Sequence, residues 1–148
     1  HAVTLNYGRF PQLTRKISIV PDNDRLGHTE VRFFDHPDWT PSLESLKNRV
    51  IVLLTGRTAE RNLHGVNSGF NSGARGDLKM ARKYVGNMAS DEKERRSLMR
   101  SLAAGSKHLV ETHWPVIEAV AEALLVEMDG GRFEEIVQAI ETAQKPST

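Results

Sequence analysis

Six histidines, a glycine-rich stretch running into an aspartate, and no cysteine at all define the chemistry this chain can carry. Without thiolates, disulfides and sulfur-ligated metal sites are excluded, so any metal must be held by His, Asp, Glu or water. Asp77 follows a loop over residues 67–76 that contains Gly69, Gly73 and Gly76. A carboxylate at a helix start has two readings: it can satisfy free N–H groups and the helix dipole, or it can serve as a ligand. The histidines are His1, His28, His36, His64, His108 and His113, and no HxxxH pair occurs among them. His108 and His113 are five residues apart and diverge on a helix, where same-face neighbours are three or four apart. His36 stands beside Asp35 and Asp38 in what reads as a solvated turn, and His28 reads as a polar-face residue of a strand.

The elements that must position these groups are legible as a mainly α chain with a small β-hairpin. At 148 residues, 39% hydrophobic and 26% charged, the sequence suits one globular domain that buries roughly 68–70% of its unfolded surface. Residues 1–144 are expected to form that domain, with 145–148 a disordered tail. A formal net charge of +1 argues against a bulk nucleic-acid binder. No apolar run approaches the ~18 residues of a membrane span, and no signal peptide is recognisable. Residues 15–20 and 27–34 read as two strands flanking the turn formers Pro21-Asp22-Asn23-Asp24. Thr40 and Pro41 form a helix start. Leu43, Leu46, Val50, Leu53 and Leu54 give the buried stripe of a helix that Gly65 stops. Asp77 opens a second helix and Ser90-Asp91 a third, which Gly105 and Pro115 are expected to break or kink. Phe133, Ile136, Val137 and Ile140 suggest a last short helix.

Three ordered segments carry a resemblance. Ser72-Gly73-Ala74-Arg75-Gly76-Asp77-Leu78-Lys79-Met80-Ala81 is similar to the S-G-A-x-x-D-[IL]-x-x-A segment of FtsH-like zinc metalloproteases. Leu54-Thr55-Gly56-Arg57-Thr58-Ala59-Glu60 resembles their G-G-R-x-A-E helix. Lys16-Ile17-Ser18-Ile19-Val20-Pro21 with Leu26-Gly27-His28-Thr29 resembles their K-V-[ST]-I-x-P and L-G-x-T hairpin. The match covers about residues 1–90. In that family these pieces follow H-E-A-G-H-A, so His1-Ala2 falls on the second histidine of HExxH, and the first histidine and the glutamate lie before residue 1.

The resemblance implies a peptidase-domain fold and a zinc cofactor. HExxH on a helix turns two histidines and a general-base glutamate towards one metal. His1 and Asp77 are implied to be metal ligands, and Glu60 to orient a ligating histidine. The edge strand at Gly27, His28 and Thr29 is implied to hold an unfolded polypeptide substrate through main-chain hydrogen bonds. No catalytic residue is then present, and these 148 residues alone are expected to be inactive. G-x-x-x-x-G-K-[ST] does not occur here, so the family's ATPase module either lies elsewhere or has no counterpart in this protein. A homo-oligomer is a further implied partner, and the expected location is cytoplasmic, with a parent protein that can be membrane-anchored. Two departures stand out: Thr55-Gly56 replaces the doubled glycine, and Arg61 stands at the second glutamate. The alternative is a non-catalytic peptidase-like scaffold or protein-interaction module.

Overall fold

The computed structural model describes His1, Val3, the strand backbones Thr14–Ser18 and His28–Val31, and residues 42–65 and 74–127. The described residues are mainly helical, as the periodicity predicts. Four helices follow one another: α1 (Leu43–His64), α2 (Arg75–Met88), α3 (Glu92–Thr112) and α4 (Trp114–Glu127). Strand β1 (Thr14–Ser18) pairs antiparallel with β2 (His28–Val31), Ile17 opposite Thr29 and Ser18 opposite His28, with an irregularity between Thr14 and Lys16. None of the described helices is long and apolar enough to cross a membrane. The chain divides into two compact units, one of His1 with residues 35–112 and one of residues 2–34 with 113–148.

Local chemistry sets the helix ends. Ser42 caps α1: its backbone is extended (φ −61°, ψ 157°) and its hydroxyl accepts the Ser45 amide at 3.1 Å. The helix therefore starts after Ser42 and not at Thr40-Pro41, because Ser42 supplies the side-chain acceptor that an otherwise unpaired first-turn amide needs. Gly65 ends α1 at φ +80° with its N–H donated to the Arg61 carbonyl at 2.9 Å. Asp91 accepts the Glu94 amide at 2.8 Å while the Glu94 carboxylate accepts the Ser90 amide at 2.7 Å. This reciprocal pair opens α3 where the sequence places it.

Two glycines behave differently from expectation. Gly76 lies inside α2 and not in the loop before it. Gly105 does not interrupt α3, which runs unbroken to Thr112. A Cβ at position 105 would lie 3.3 Å from Ile51 Cδ1, so the missing side chain lets α1 and α3 approach closely. The break comes at His113, and Pro115 sits in the first turn of α4, where its absent N–H costs nothing.

The core of the first unit joins α1, α2 and α3. Val50, Leu54, Ala81, Val85 and Leu102 are buried together, with Ile51, Leu53, Leu78 and Leu98 against them. Leu43, expected in the buried stripe, is 55% exposed because it occupies the first position of α1, beyond the reach of this cluster. Thr58 and Ser106 join α1 to α3 by a hydroxyl pair at 2.9 Å, with Ser106 fully buried and Thr58 Oγ1 also donating to the Leu54 carbonyl at 2.9 Å. Both hydroxyl donors of this pair are thus satisfied. The loop at 67–73, Gly27, His36, the helix at 133–140 and the tail at 145–148 lie outside the described residues.

Candidate functional site

The first unit brings residue 1 to α1 and α2. His1 Nε2 stands 3.6 Å from Asp77 Oδ2, with side-chain exposures of 31% and 35%. Asp77 is the third residue of α2, in its first turn. Ala74, which has no side-chain oxygen, holds the cap position. Asp77 is therefore not the capping residue of α2, and its carboxylate faces the imidazole.

The backbone of α1 supplies the space. A Cβ built on Gly56 would lie 2.6 Å from His1 Nε2 and 3.0 Å from His1 Cε1. Any other residue at 56 would collide with the ring in its present place, so the helix accepts a glycine where alanine would be better by about 1 kcal/mol. The sequence marks Gly56 only as part of the G-G-R-x-A-E resemblance, not as a place where another group comes close. The available signal was a glycine in the interior of an otherwise strong helix, which marks a close approach.

Glu60 follows Gly56 by one helical turn and therefore shares its side of α1. It is half-buried and makes no hydrogen bond or ion pair among the described residues. Next to Gly56, the Nε of Arg57 is buried without a hydrogen-bond partner among the described residues, a second group that sequence reasoning missed. Burial raises the Asp77 carboxyl above the ordinary carboxylate range.

The spacing of the two side chains can be compared with what each kind of contact requires. At 3.6 Å the N and O atoms are beyond hydrogen-bond distance. Two zinc ligands at about 2.0–2.1 Å in tetrahedral geometry stand about 3.3 Å apart. The His1–Asp77 separation is within ion-pair distance. No group of three or more potential metal ligands occurs among the described residues. His28 and Thr29 lie in β2, in the second unit.

No family model and no curated protein matches this chain.

Proposed function

We propose that this chain is the peptidase module of an FtsH-like zinc metalloprotease, with His1 and Asp77 as two of the metal's protein ligands. The observation that supports it most is the convergence of an imidazole and a carboxylate 76 positions apart in sequence to 3.6 Å, over a glycine that leaves room for the ring. Donor types fit zinc: an imidazole nitrogen and a carboxylate oxygen are both ordinary ligands for it. The chemistry zinc supplies in such a site is Lewis acidity, which makes a water a competent nucleophile near neutral pH and polarises a peptide carbonyl.

The protein's own groups do the positioning. Asp77 is held by the first turn of α2, whose backbone is fixed by the packing of Leu78 and Ala81 on the core. Gly56 sets how near the imidazole can come to α1. Glu60 is the residue assigned to orient a ligating histidine. In this reading the substrate is an unfolded polypeptide laid along β2 at His28 and Thr29, where main-chain hydrogen bonding gives loose sequence preference. A separate ATPase module delivers it, and a homo-oligomer is the proposed assembly. The general-base glutamate is not among these 148 residues, so this chain is expected to bind zinc weakly and to hydrolyse nothing.

Titration of the metal-free chain with Co(II) and Zn(II) tests this. The expected result is one ion per chain, with Asp77→Ala and His1→Ala each lowering affinity at least about tenfold. Binding unchanged in both variants would dismiss the assignment. Casein cleavage by the 148-residue chain with zinc would show that the reading of its chemistry is wrong.

A further inference from the structure

The end of α2 and the beginning of α3 border an open cavity of about 700 Å³ that the zinc reading does not use. Arg82, Arg95, Arg96 and Arg100 line it, against one acid, Glu92. Val85 and Met99, which also belong to or pack on the core, form its apolar floor. Residues 75–107 hold nine Lys and Arg against four Asp and Glu, in a chain whose net charge is only +1. Positive charge is therefore concentrated on these two helices.

Three features make this more than a basic surface. First, the α3 arginines are anchored through Nε alone: Arg95 to the Ala89 carbonyl at 3.3 Å, Arg96 to the Glu92 carboxylate at 3.0 Å, and Arg100 to the Arg96 carbonyl at 3.4 Å. Each guanidinium keeps its Nη donors for a ligand. Second, Gly86 lines the cavity from within α2, and a Cβ there would meet nothing within 4 Å. Packing does not require this glycine, and it keeps the cavity wall open. Third, Gly86 is nine residues beyond Asp77, which puts it roughly half a turn out of phase and about 13 Å further along α2. The cavity thus faces away from the His1–Asp77 pair.

We propose that this cavity binds a compact anion carrying two or more phosphate groups. Its volume lies in the range of small-molecule sites, roughly 300–1,000 Å³. Arginines from two helices line it, and a guanidinium fork can bind a phosphate group bidentately while several phosphates offer acceptors to several guanidiniums.

The test is calorimetric titration of the full chain with inorganic tripolyphosphate. One saturable site per chain is expected. Arg96→Gln with Arg100→Gln should weaken it at least about tenfold, each lost charged hydrogen bond contributing. Gly86→Ala should weaken it by narrowing the cavity. Lys107→Gln, an exposed lysine outside the cavity, should change it less than about twofold, as for a screened surface charge. Should the double variant fail to fold, Arg82→Gln alone carries the same expectation. Absence of saturation, equal weakening by Lys107→Gln, or displacement by an equal concentration of citrate would overturn the proposal. So would binding of a long single-stranded oligonucleotide that tripolyphosphate cannot displace.

Discussion

Gly56 is the residue at which stability and function separate. Gly56→Ala adds a methyl 2.6 Å from His1 Nε2, and the ring, at the end of a side chain, can move aside. The helix itself gains about 1 kcal/mol from alanine. The expected outcome is a variant as stable as the parent or more so by urea unfolding, with Co(II) affinity reduced at least about tenfold. Glu60→Gln belongs to the same scale: on the proposed zinc site, where Glu60 orients a histidine, its loss lowers metal affinity by about 10–100-fold, measured in the same titration. Asp77 gives a pH dependence. Its folded-state pKa is raised by burial, so between the unfolded and folded values the native state holds more protons than the unfolded chain. Stability of the metal-free protein then falls as pH rises through that window, and Asp77→Asn should remove this component of the profile. Unfolding midpoints measured from the ordinary carboxylate range up to neutral pH check it.

At the scale of elements, the caps decide where helices stop and start. Gly65 has φ +80° and ψ 168°, and a Cβ there would meet no neighbour. Gly65→Ala therefore tests backbone strain without steric crowding, and a loss of about 1–3 kcal/mol by denaturant unfolding is expected. The signals for these ends were local and legible: Gly65 as a stop, and Ser90-Asp91 as a start. The α1 start was misplaced by two residues because Thr40-Pro41 and Ser42 are both acceptable openings on local grounds. Gly105 was misread for a different reason. A glycine inside a helical pattern signals a break or a close approach equally well, and only the Ile51 side chain across the interface distinguishes them.

For the molecule, the first unit stands on three helices meeting at Val50, which is fully buried between Ala81, Val85 and Leu102. Val50→Ala removes two methyl groups and leaves a cavity, for an expected loss of about 2–3 kcal/mol in chemical unfolding. The burial of Val50 and Leu54 was readable from their spacing, and the exposure of Leu43 was not. Periodicity identifies the side of a helix that faces inward but not how far along the helix the neighbouring elements extend.

The sequence by itself marked the helical segments, two of their ends at Gly65 and Ser90-Asp91, and the inward positions Val50 and Leu54, because those depend on contacts within about four residues. It also marked Asp77 and Gly56 within segments of recognisable pattern. Only the tertiary structure decided that His1, Gly56 and Asp77 share one place, and that arginines from two helices face one cavity. Residues so far apart along the chain meet through the packing of α1 on α2 and α3, and packing geometry depends on every core side chain at once.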